Sequence, residues 1–249
     1  MMPQPAGPDL VAEAGRILAA ARASRLTLGV LGGVGIALRC AAAGLPPLAR
    51  DYGDIDLAVA RGERARLEPL MAELGYQPDR ETNLLFGRER LIYFDTRRGL
   101  HVDVMVDRLH MCHEVPFVFA KDGNLTAACL LLTKLQVVQT TDKDLRDIVA
   151  VLVDSPFGTE PHAIDLDWLS TLCARDWGLW RTATDVAERV AEFGATLGPL
   201  PGSFALAAQL ETLTARLESA PKTLGWKARA AIGRRVQWYE LPDEGTKRA

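Results

Sequence analysis

The pattern of apolar residues changes once along the chain, near residues 115–123. Before that point, short alternating runs are interleaved with helical stripes; after it, only helical stripes separated by Pro, Gly and Asp remain. This switch predicts an α+β fold, in which a mixed β-sheet flanked by helices is followed by an all-helical C-terminal domain. We place the first domain at 1–120 and the second at 121–249. A length of 249 residues, at roughly 150 per domain, leaves room for two cores. With 48% hydrophobic and 24% charged residues, the chain has the composition of a globular protein rather than a disordered one.

Within the first domain, Leu10, Val11, Ala14, Ile17, Leu18 and Ala21 recur at helical spacing, and Pro8 suits a first-turn position, so a helix is expected over 9–23. A short apolar run from Leu26 to Leu31 then meets Gly32-Gly33 and a helical stretch over 34–43: strand, glycine turn, helix. Residues 54–60 read as a buried strand, 62–74 as a helix, and 83–94 and 100–107 as two strands joined by the turn Thr96-Arg97-Arg98-Gly99. Six helices are expected later, over 124–139, 142–153, 165–175, 179–196, 203–219 and 223–238.

Three pieces of this pattern suggest chemistry. Asp54 and Asp56 stand two apart at the start of a strand, so a period of two points both carboxylates the same way. Like charges that close want a cation between them, and magnesium prefers such hard oxygen ligands. Asp103 lies mid-strand in His101-Val102-Asp103-Val104-Met105-Val106-Asp107, among residues suited to burial, and needs a partner there. Asp107, nearer the strand end, ranks behind it. Gly32 and Gly33, between strand and helix, would leave amide groups free for phosphate. The segment is neither a Walker loop nor a Gly-x-Gly-x-x-Gly fingerprint, so neither familiar nucleotide fold is supported.

The order of a Gly-Gly, an Asp-x-Asp about twenty residues on and an Asp on a later strand resembles the nucleotidyltransferase superfamily, with its polymerase-beta-like fold. Gly32, Gly33, Ala37 and Leu38, then Arg50, Asp54, Ile55, Asp56 and Leu57, then Val102-Asp103, and finally Lys134 with Lys143-Asp144-Leu145-Arg146-Asp147 are similar to the bacterial branch of AbiEii-type, toxin-like nucleotidyltransferases. Aminoglycoside and lincosamide nucleotidyltransferases share the same core pattern. The resemblance implies that Asp54, Asp56 and Asp103 are catalytic and bind one or two magnesium ions. It further implies that Gly32, Gly33, Arg50, Lys134 and Asp144 serve a nucleoside triphosphate. The nucleoside monophosphate would pass to an acceptor hydroxyl on RNA or tRNA, a protein or a small molecule. An antitoxin partner and ATP as donor belong to the same expectation. A nucleotide-binding module of this fold without turnover is the rival from another class; the presence of all three acids favours an enzyme.

Several features also have plainer readings. Thr141 and Asp144 suit an N-cap and the third position of a helix, and Arg50 has Asp51 and Asp54 nearby in sequence. His101, His110, Cys112 and His113 invite zinc without finger spacing, and tryptophans such as Trp168, Trp177 and Trp180 suit helix packing. Residues 222–249 hold seven Lys or Arg against three acids, either a solvated face or a contact for RNA, while the whole chain carries a formal charge of -3. Four scattered cysteines, an N-terminus without a basic and apolar leader, and no apolar run of about 18 residues predict a reduced, cytoplasmic protein that does not span a membrane.

Overall fold

In the computed structural model, the described residues are 9–241, and they form two compact units. The first comprises the chain up to Leu38, Asp51–Arg108 and Phe117–Leu125; the second comprises Arg39–Arg50, Leu109–Pro116 and the chain from Thr126 onward. The units are thus interleaved in sequence.

The first unit runs α1 (Leu10–Ala23), β1 (Leu28–Val30), α2 (Gly32–Arg39), β2 (Ile55–Val59), α3 (Arg64–Glu73), β3 (Gln77–Pro78), α4 (Arg80–Phe86), β4 (Arg90–Asp95) and β5 (Leu100–Val106). Asp9 caps α1 by accepting from the Val11 and Ala12 amides, satisfying donors that the first turn cannot. Pro8, expected in that turn, lies outside the described residues.

The five strands form one mixed sheet in the order β1-β2-β5-β4-β3, in which only the β2 and β5 pair is parallel. Ile55, Leu57 and Val59 of β2 pair with Val102, Val104 and Val106 of β5, and all six are buried. They pack with Ala14, Ile17 and Leu18 of α1 and Leu67, Leu70 and Met71 of α3 in one core. Each fully buried side chain of this size contributes about 1.5–3 kcal/mol through burial. Because side chains alternate across a strand, the opposite face carries Asp56, His101, Asp103 and Met105, which are all only half-buried.

Where one strand is expected over 83–94, the structure has a helix to Phe86 and a strand from Arg90. The apolar run Leu84-Leu85-Phe86 imitates a strand, yet these residues are 85%, 68% and 61% exposed and supply no core face. The local cap decides instead: the Asp79 carboxylate accepts from the Thr82 amide and starts a helical turn. The Asn83 side chain then pairs with both the N–H and the carbonyl of Ile92, occupying the outer edge of β4. On the far edge, Asn124 Oδ1 accepts from Val30 N of β1.

One polar cluster is built into this unit. Glu13 accepts from Arg16, from Arg98 Nη1 at 2.8 Å and from the buried Tyr76 hydroxyl at 2.6 Å, while Arg98 Nε also donates to Asp95 at 2.6 Å. Burial raises the Glu13 pKa, but these donors outweigh it and bring it down to about 2.

Strands β6 (Arg108–His110) and β7 (Glu114–Pro116) form a separate two-stranded sheet. The helices that follow are α5 (Ala127–Leu135), α6 (Asp142–Asp154), α7 (Leu166–Arg175), α8 (Trp177–Thr196), α9 (Leu206–Ser219) and α10 (Leu224–Ile232). Thr126, Thr141, Asp165, Asp176 and Thr223 cap five of them, which is why their starts are readable in the sequence. No helix among the described residues is long and apolar enough to cross a membrane.

Candidate active site

The polar face of the first unit's sheet gathers a glycine turn, two carboxylates and an arginine. Asp56 and Asp103 lie opposite each other on the parallel pair β2 and β5, so both side chains leave the same face. Asp54 precedes β2 by one residue and is exposed. Gly32, with a φ of +62°, opens α2 directly above Asp56. A Cβ at Gly32 would stand 2.9 Å from Asp56 Oδ2. The Leu31 amide donates to the Asp56 carbonyl at 2.7 Å, which ties the turn to the strand. Gly33 follows in the first turn of α2, where amide N–H groups have no acceptor four residues back within the helix.

Asp103 does have the partner its burial demands. Arg90 Nε and Nη2 donate to its two carboxylate oxygens at 2.6 and 2.7 Å, a two-bond fork between side chains only 23% and 13% exposed. Arg90 faces Met105 across the antiparallel β4 and β5 pair and so reaches Asp103 along the diagonal. The hydrogen bond to Asp103 raises the Arg90 pKa, burial partly offsets this, and the charges of Asp103 and Asp56 add to the rise. His101 stands 4.0 Å from Asp103 on the same face and stacks on Phe94. Arg90 is a residue that the sequence reading missed.

No group of three Asp, Glu, His or Cys side chains meets at metal-ligand geometry among the described residues. The donor set nevertheless suits a hard divalent cation: acid oxygens on one face, with a guanidinium already standing as the cation on Asp103 and within electrostatic reach of Asp56.

The second unit brings together Arg50, Lys134 and Asp144 through a fourth residue, Asp147. Arg50 forks onto Asp147 at 2.9 and 2.7 Å. Lys134 Nζ lies 2.9 Å from Asp147 and 2.8 Å from Asp144. Burial pulls the Lys134 ammonium down, but Asp147 and Asp144 outweigh it and leave its pKa raised; Asp144 is lowered because Lys134 outweighs its burial. Thr141 and Asp144 form a complete capping box at the start of α6.

The remaining polar motifs are also engaged. His113 is buried against Thr182 Oγ1 at 2.8 Å, and burial lowers its pKa; His110 meets Glu240, and Cys112 is a buried free thiol. Trp177 packs edge-on against Trp238, and Trp180 against Trp226. Of the basic tail, Lys222 lies over Trp180 and Trp226, Arg229 over Trp177, and Arg234 bonds Asp185. Asp243, Glu244, Lys247 and Arg248 fall outside the described residues.

Residues 9–126 match the family model described as "Uncharacterised nucleotidyltransferase". This segment belongs to the nucleotidyltransferase superfamily. The match contains the glycine turn, Asp54, Asp56, Arg90 and Asp103, so the nucleotidyltransferase segment holds the whole polar face just described. No curated protein matches the chain. Among solved structures, the chain is similar to ANT(2")-Ia in complex with adenylyl-2"-tobramycin, with 17% identity over 76% of this chain and 96% of that one and a TM-score of 0.39. It is also similar to an antigenic nucleotidyltransferase-like protein from Paracoccidioides brasiliensis, with 14% identity over 87% of this chain and 95% of that one and a TM-score of 0.40. The nucleotidyltransferase assignment makes the protein an enzyme that uses a nucleoside triphosphate and an acceptor.

Proposed function

We propose that the enzyme transfers a nucleoside monophosphate from a nucleoside triphosphate to the hydroxyl of a small, cationic acceptor, releasing pyrophosphate, with magnesium at Asp54, Asp56 and Asp103. The observation that carries this reading is the register of Asp56 opposite Asp103 beneath the Gly32 turn, which sets acid oxygens and the N-terminal turn of α2 on one face. In this reading the amides of Gly32 and Gly33 hold the outer phosphates at the N-terminus of α2. Asp54 and Asp56 hold the cation, and Asp103 completes its ligand set and takes the acceptor's proton. Bound there, magnesium would supply charge neutralisation on the triphosphate. The Arg50, Lys134, Asp144 and Asp147 cluster is read as a buried ionic clamp in the second unit.

Charge favours a small cationic acceptor over RNA. The chain is net negative, and three of the five basic side chains described over 222–241, Lys222, Arg229 and Arg234, are engaged by tryptophan rings or by Asp185, which leaves the exposed Lys227 and Arg235 as a small basic surface for a polyanion. The test is incubation with magnesium and each alpha-phosphate-labelled nucleoside triphosphate, with an aminoglycoside and lincosamide panel in one set and total RNA in another. Label on a small molecule with pyrophosphate release is the expected result. Label on RNA would overturn the acceptor and restore the toxin-like reading, with an antitoxin partner then to be sought. Nucleotide binding without transfer to any acceptor would leave the fold as a binding module.

A further inference from the structure

Arg90 is the one cation bonded to Asp103 within the described structure, and it takes both carboxylate oxygens. Asp103 therefore has no oxygen free of Arg90 to offer a divalent ion in this arrangement. The guanidinium lies on the same sheet face as Asp56, which stands opposite Asp103, and Asp56 in turn lies against the glycine turn. Geometry thus places one arginine on the face that carries both strand acids and the glycine turn.

We propose that Arg90 is an exchangeable counter-ion: it holds Asp103 in the nucleotide-free enzyme, then leaves at least one oxygen of Asp103 and passes to the triphosphate as the metal-nucleotide enters. This rests on the reading of Asp103 as a metal-site carboxylate. Its consequence is an order of events. Nucleotide-free enzyme binds divalent metal poorly, because Asp54 and Asp56 are left to hold it without the third acid, and metal and nucleotide load together. Arginine suits this role, since its planar fork matches carboxylate and phosphate alike. Arg90 is a positioning residue for Asp103 first and a phosphate contact second.

The experiment is a Mn2+ titration of the full chain, followed by the loss of the free-ion electron paramagnetic resonance signal, with and without α,β-methylene analogues of ATP and GTP, each read against the same analogue without protein because the triphosphate itself chelates Mn2+. For wild type, weak binding alone and much tighter binding with an analogue are expected. In Arg90→Met, nucleotide-free Mn2+ affinity should rise about tenfold, the low end of what partners of metal ligands control. The KM for nucleotide should rise as well, and Asp103→Asn in the Arg90→Met background should remove the gain in Mn2+ affinity. Arg90→Lys keeps the charge without the fork and should give a smaller gain, so it serves if the methionine variant does not fold. Unchanged nucleotide-free Mn2+ affinity in the folded variants would overturn the exchange and leave Arg90 a structural clamp. Absence of Mn2+ binding to wild type even with analogue would instead overturn the metal reading of the site itself.

Discussion

The Cα of Gly32 and the carboxylate of Asp56 approach so closely that a single added methyl group would sit 2.9 Å from Asp56 Oδ2. Gly32 also has a φ of +62°, so two independent demands fall on one residue. Gly32→Ala should therefore cost about 1–2 kcal/mol from the backbone alone. It should also displace the Asp56 carboxylate. Urea unfolding together with nucleotide affinity checks this; a variant of wild-type stability and affinity would show that the turn tolerates a side chain.

Asp54 and Asp56 differ in how they are held, and their variants should separate folding from activity. Asp54 is exposed, so Asp54→Asn should unfold at the wild-type temperature while magnesium-dependent transfer falls about a hundredfold or more. Removing the metal with a chelator should lower wild-type transfer to the same level. Transfer that survives both treatments would place the catalytic metal elsewhere or nowhere.

The clamp in the second unit predicts a stability effect. Asp147 is 2% exposed and faces two cations, so Lys134→Met leaves it to Arg50 alone, and Asp147→Asn leaves Lys134 to Asp144 alone and weakens the Arg50 fork. Each single variant should lose about 1.5–3 kcal/mol. The double variant Lys134→Met with Asp147→Asn should lose less than the two singles combined, because the charges share one interaction. Chemical denaturation of all three resolves the coupling.

Acid should act on the first unit through Glu13. Its folded pKa lies near 2, below the ordinary 4.5, so its contribution is fully present above pH 4.5 and is lost as pH falls towards 2. Glu13→Gln should be less stable than wild type at pH 6, and the difference should shrink between pH 4.5 and 2. Unfolding free energies measured across that window check the sign; a gap that stays constant would remove the ionised Glu13 cluster as its cause.

Much of the fold was legible in the sequence because its signals are local. The caps Thr141 and Asp165 and the stripe from Leu10 to Ala21 each declare a helix within a few residues. The exposed run Leu84-Leu85-Phe86 was misleading, since hydrophobicity implies burial only when another element arrives to cover it. Asp54, Asp56 and Asp103 stood out as acids on strands, but the facing of Asp56 and Asp103 depends on β2 and β5 becoming neighbours across a long crossover. Arg90 was within reach of sequence reasoning. The turn at 96–99 sets Asp95 opposite Leu100, and counting back from there puts Ile92 opposite Asp103 and Arg90 on the same face. Asp147 stood in the Lys143-Asp144-Leu145-Arg146-Asp147 element, but its bonds to Arg50 and Lys134 were not legible there, because those partners lie 97 and 13 residues away in sequence.

The two asparagines at the borders of the sheet have a consequence for the protein at high concentration. A five-stranded sheet with bare outer strands is a template on which other chains can add strands and grow fibrils. Here Asn83 fills both backbone groups of Ile92, Asn124 takes the amide of Val30, and the terminal strands β1 and β3 are only three and two residues long. Replacing these side chains by alanine would reopen one backbone donor at each margin, the amides of Ile92 and Val30. Resistance to strand-by-strand polymerisation is thus written into two amide side chains remote in sequence from every acid of the active site.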